Sequence, residues 1–131
     1  MGSAFRFPLL LALVLCSLFI EIACGAPVIN IINSLPKDSP PLRLKCKTNV
    51  TGLVIEHPLN AGKRYVQTAK TNYDLYFCNA MWGRYFAEFE SFDAKRDAGH
   101  DKIIWRVQKE GFFLSYGNST QWTKEVDWET D

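Results

Sequence analysis

The sequence offers little from which an active site or a metal centre could be built. Its two histidines, His57 and His100, lack the spacing of a metal-binding pair, and thiols committed to a disulfide leave no zinc set to assemble. No serine stands in a nucleophile elbow and no glycine-rich loop precedes a helix, so the common hydrolase and nucleotide-binding arrangements are excluded. Neither sign of charge dominates. The 15 Lys and Arg stand against 14 Asp and Glu, for a net charge of +1, which argues against nonspecific nucleic-acid binding. Long helical periodicity and internal repeats are absent, and a chain of 131 residues has room for one domain.

One long apolar run exists, Pro8–Ile20, preceded by Arg6 and followed by small residues. It is too short to span a bilayer comfortably, and Ala23 and Gly25 occupy the positions a signal peptidase favours. Residues 1–25 are therefore expected to be a secretory signal peptide and 26–131 a secreted domain with no membrane insertion after cleavage. Glu21 stands where a lipoprotein signal wants Leu, which argues against lipidation of Cys24. Cys16 and Cys24 leave with the signal, and Cys46 and Cys78 remain. Two cysteines in an oxidising compartment most simply form one disulfide.

What the chain does have is alternation and aromatic residues. The richest stretch is Leu75–Asp97, in which Tyr76, Cys78 and Ala80 share one face and Leu75 and Phe77 the other. Apolar residues on both faces predict a central strand. After Trp82 and a turn at Gly83, the run Arg84–Phe92 returns with Tyr85, Phe86, Phe89 and Phe92, predicting a hairpin that carries the core. Leu42, Leu44 and Cys46 alternate with Arg43, Lys45 and Lys47, the mark of a strand with one solvated face. Further strands are expected near Ile29–Leu35, Leu53–Leu59, Lys63–Thr71, Ile103–Val107 and Phe112–Tyr116. In the tail, Trp122, Val126 and Trp128 fall on one side. About eight short strands at these spacings predict an all-β, small single-domain antiparallel β-sandwich. Trp82, Trp105, Phe86 and Leu44 are expected in or near its core. Sequons at Asn49 and Asn118 suit glycosylation of a secreted protein. Glu88 and Glu90 share a strand face, a pairing that glycoside chemistry could use and that an exposed polar face explains more simply.

Six pieces in order give the chain a family likeness: Ile31-x-Asn33-x-Leu35, Leu44-x-Cys46, Leu59-x-x-Gly62-x-x-Tyr65, the run ending at Cys78 with Trp82 after it, Phe92–Asp97, and Trp105-x-Val107 followed by Gly111. In these it resembles the plant self-incompatibility S-protein family over nearly all of residues 26–131. The resemblance implies a secreted β-sandwich with no enzymatic activity, no catalytic residues, no metal and no cofactor. It implies a monomeric recognition ligand for a plant cell-surface protein or receptor. A carbohydrate- or wall-binding or defence protein is the alternative. Where the family usually has Cys-x-x-Cys-x-Trp, this chain has His100–Trp105 with neither cysteine. That fits a lone Cys46–Cys78 bond, and it also fits a rearranged pattern that leaves both without a partner. Recognition usually sits on loops, and the longest charged one is Asp93–Lys102, with Asp93, Lys95, Arg96, Asp97, His100, Asp101 and Lys102 as candidate contacts. Without the cysteine pair, this loop is expected to be mobile.

Overall fold

In the computed structural model, residues 26–48, 55–70, 75–117 and 120–130 are described, and their alternating runs become ten strands. These are β1 (Val28–Asn33), β2 (Leu42–Thr48), β3 (Ile55–Leu59), β4 (Arg64–Thr68), β5 (Leu75–Trp82), β6 (Tyr85–Asp93), β7 (Lys102–Gln108), β8 (Gly111–Ser115), β9 (Thr123–Val126) and β10 (Glu129–Thr130). They build two five-stranded sheets, ordered β4-β1-β7-β8-β9 and β10-β6-β5-β2-β3. The all-β sandwich is as expected. The expected signal segment 1–25, Asn49, Asn118, Leu53 and Val54 lie outside the described residues. Among described strand pairs only β1 with β7 is parallel, a neighbour relation that alternation cannot encode.

The two sheets meet through the inward row of each strand. Ile29 and Ile31 of β1, Ile103, Trp105 and Val107 of β7, and Phe112 and Leu114 of β8 face Leu42 and Leu44 of β2, Tyr76 and Ala80 of β5, and Phe89 of β6. Aromatic rings run through this layer: Phe89 packs on Trp105 and Phe112 at 4.9 and 4.8 Å, and Phe112 on Trp128 at 4.7 Å. Trp128 donates its indole N–H to the Gln108 carbonyl at 2.7 Å, which lets a polar tip sit against the core. Gly111, which opens β8, has φ +138°, and a Cβ there would stand 2.6 Å from the Val126 carbonyl oxygen, so the β7–β8 turn requires glycine.

Cys46 and Cys78 are direct cross-strand partners in β2 and β5 and are bonded to each other. The bond closes a 32-residue separation, for which the chain-entropy account gives about 3–4 kcal/mol of stabilisation. Non-reducing peptide mapping should recover the two residues in one linked fragment; separate fragments with alkylated thiols would contradict the pairing.

Two motif pieces that stand far apart in sequence touch in the fold. The buried Asn33 side chain donates to the Leu59 carbonyl and accepts from the Leu35 N–H, both at 2.9 Å, while its backbone carbonyl accepts from the Gly62 N–H at 2.8 Å. A single asparagine thus ties the end of β1 to the β3–β4 turn and satisfies backbone groups that burial would otherwise leave unpaired.

Bulges correct the simple alternation. Phe89 and Phe92 are three apart, an odd interval that a regular strand would send to opposite faces, yet both are buried. The register of β6 on β5 skips Ser91, and this bulge returns Phe92 to the core. Phe86, expected in or near the core, is 39 % exposed: it pairs with Met81 on the outer face, and Ala87 takes the inward place. A second bulge at Glu125 divides the tail. Val126 and Trp128 pack against the core, while Trp122 goes to the outer face of the first sheet beneath Arg106. At the expected thin spot near Tyr65, Ala69 is buried and Gln67 keeps a buried side-chain oxygen without a partner.

Candidate functional site

The Asp93–Lys102 loop connects β6 to β7 and folds as a succession of turns over 94–99. It is not an unrestrained connection. The Asp93 carboxylate accepts from the Lys95 N–H at 2.9 Å, and the Asp93 carbonyl from the Asp97 N–H at 2.8 Å, which sets the first turn. Asp97 then points inward and is 2 % exposed. Its carboxylate receives the Asp93 N–H at 2.9 Å, a two-pronged guanidinium contact from Arg96 at 2.7 Å on each oxygen, and the Tyr116 hydroxyl at 2.6 Å. Arg96 also donates to the Glu90 carbonyl at 2.9 Å and lies 5.2 Å over the Trp105 ring. His100 stacks on Tyr116 with centroids 3.7 Å apart.

This polar knot stands beside the place where the resemblance predicts a stiffening cysteine pair. Here His100 stacks on Tyr116, and Ile103 is fully buried in the core. In place of that pair, a buried charge with four donors is a strong local tether. The candidate residues divide. Asp93, Arg96 and Asp97 build the loop; Lys95, His100, Asp101 and Lys102 are exposed on it. His100, Asp101 and Lys102 line a shallow cleft of about 260 Å³ together with Tyr116. Sequence reasoning missed Tyr116, whose partner lies 19 residues away.

The knot shifts two titrations. Burial disfavours the Arg96 charge, but the hydrogen bond and charge of Asp97 outweigh it, so its pKa is raised. The Tyr116 hydroxyl is pushed up to about 12, chiefly by burial and then by Asp97. The folded state thus holds this proton more tightly than an unfolded tyrosine with its value of 10.0. Its contribution is complete below about pH 10 and is lost as pH rises through about 12. Denaturation curves should show stability falling across that window. Tyr116→Phe should flatten the fall only in part, because Tyr65 is also raised, by burial and by neighbouring Tyr76.

The outer face of the second sheet carries the basic column of β2, with Arg43, Lys45 and Lys47 exposed. Beyond β5 stand Glu88 and Glu90 of β6, both exposed. These two carboxylates line an open cleft of about 340 Å³ with Arg96, Glu125 and the buried Phe89 and Trp105. Among the described residues no group of three or more His, Cys, Asp or Glu could hold a metal ion, and no helix is long and apolar enough to cross a membrane.

A family model described as plant self-incompatibility protein S1 matches residues 28–128. No curated protein and no solved structure matches the chain.

Proposed function

The chain belongs to the plant self-incompatibility protein S1 family, and from that premise we propose that it is a secreted, non-enzymatic recognition ligand for a plant cell-surface protein. The observation that carries this reading is the family match over almost the whole sandwich, joined to a charged loop held rigidly at one end of it. A ligand needs a surface that stays in shape before binding, since ordering a loose loop on contact costs affinity. The knot around Asp97 provides that order, and the Lys95 and His100 side chains are exposed on the loop it holds. The signal-like segment and the two sequons support secretion, and the absence of a reactive constellation in the sequence supports a binding role.

The experiment is a kinetic binding assay of labelled protein on plant plasma-membrane preparations. Reversing Lys95 to Glu should weaken binding with the fold intact, and replacing the neutral His100 by Ala tests its ring separately. The loss should fall mainly on the association rate and its salt dependence, because charges at a contact rim act through steering. Binding left unchanged by those variants, but lost when Lys45 and Lys47 are reversed, would move the contact to β2.

A further inference from the structure

The outer face of the first sheet holds a cleft that the loop does not account for. Strand register sets Arg64 of β4, Ile32 of β1, Arg106 of β7 and Phe113 of β8 in one row. Val66, Asn30 and Ile104 form the next row, and Lys102 follows one row further along β7. Arg64 and Arg106 are two strand spacings apart, about 10 Å, and Lys102 and Arg106 are four residues apart on one strand, about 13 Å. The open cleft between them has a volume of about 460 Å³ and no carboxylate lines it. Among the described residues, none of these three cations is in an ion pair. Arg106 is held 4.2 Å over the Trp122 ring, which fixes its guanidinium at the edge of the cleft.

These features define a ligand. Three unpaired cations so widely spaced suit repeated negative charges on an extended molecule better than one small anion. The Ile32 and Ile104 side chains between them, next to Trp122 and half-exposed Val66, offer an apolar surface to a ring face. The Asn30 amide presents both a donor and an acceptor, as hydroxyl groups require. Rings with apolar faces, hydroxyls and regularly spaced carboxylates are acidic sugars. A nucleic acid fits less well, because a net charge of +1 leaves no broad basic surface for a longer polyanion. We propose that this face binds an acidic oligosaccharide, its carboxylates on Arg64, Arg106 and Lys102 and a sugar ring over Ile32 and Ile104 beside Trp122. The proposal shares Lys102 with the loop and otherwise rests on strand residues that the loop reading does not use.

The test titrates the purified protein with oligogalacturonate of defined length and with the same oligomer methyl-esterified, read by calorimetry and tryptophan fluorescence. The acidic form should bind and the ester should not. Arg64→Glu and Arg106→Glu should each weaken binding by about tenfold or more. Lys45→Glu on the opposite sheet should leave it unaltered, as should Lys95→Glu on the loop. Arg64 is exposed and outside the core, so its variant keeps the test valid even if Arg106→Glu disturbs folding. Equal binding of the ester would overturn the proposal. So would equal weakening by Lys45→Glu, or tighter binding to anionic lipid vesicles or to a single-stranded oligonucleotide than to the acidic sugar.

Discussion

Replacing Asp97 by alanine should destabilise the protein by about 3–5 kcal/mol, the range for removing one partner of a buried charge pair. The side chain is fully buried while that of Arg96 retains 23 % exposure, so the arginine can turn partly towards water and the lower part of the range is expected. What cannot turn away is the backbone N–H of Asp93, which loses its acceptor, while the Tyr116 hydroxyl keeps only the longer contact to the Arg96 carbonyl at 3.4 Å. Asp97→Asn keeps the shape and part of the hydrogen bonding but not the charge, and should recover a portion of the loss. Urea denaturation of the three proteins measures this order. An Asp97→Ala midpoint equal to that of the parent would show that the knot contributes nothing to folding.

Trp105→Ala should cost a similar amount, about 3–5 kcal/mol, by a different route. The ring is fully buried, packs edge-on against Phe89 at 4.9 Å, and carries Arg96 above it at 5.2 Å. Its indole N–H satisfies the carbonyl of Ser91 at 2.9 Å, the residue that the β6 bulge leaves outside the ladder. Alanine opens a cavity and strands that carbonyl. Trp105→Phe fills most of the volume but not the hydrogen bond, so it separates the two effects. The alanine costs at Asp97 and Trp105 should not add, because Arg96 touches both side chains and either change frees it. An unchanged melting curve for Trp105→Ala would contradict the burial.

Within the motif pieces that carry the family likeness, Asn33, Asp97 and Trp105 belong to the frame. Asn33 binds the turn that contains Gly62, Phe92–Asp97 ends in a buried carboxylate, and Trp105 seats the bulge. Residues whose neighbours come from distant strands tolerate few replacements, and that is why short strings of them identify the fold. Lys95 and His100, the loop residues offered for recognition, are held by the frame without being part of its buried carboxylate knot.

Alternation in sequence determined that β1, β2, β5, β6 and β7 would be strands and, for β2, which side chains would be buried, because successive side chains on a pleated strand point to opposite faces whatever the strand pairs with. The two retained cysteines pointed to their bond by number alone. Tertiary structure decided the rest. Whether Phe92 lies inside depends on a bulge that inserts one residue against a particular partner, and no local pattern reports the partner. The parallel placing of β1 beside β7 and the grouping of Arg64, Lys102 and Arg106 around one cleft are set by sheet order. The inward turn of Asp97 depends on Tyr116 being beside it. Each of these is a relation between distant segments, and its energy exists only once the chain has closed to bring them together.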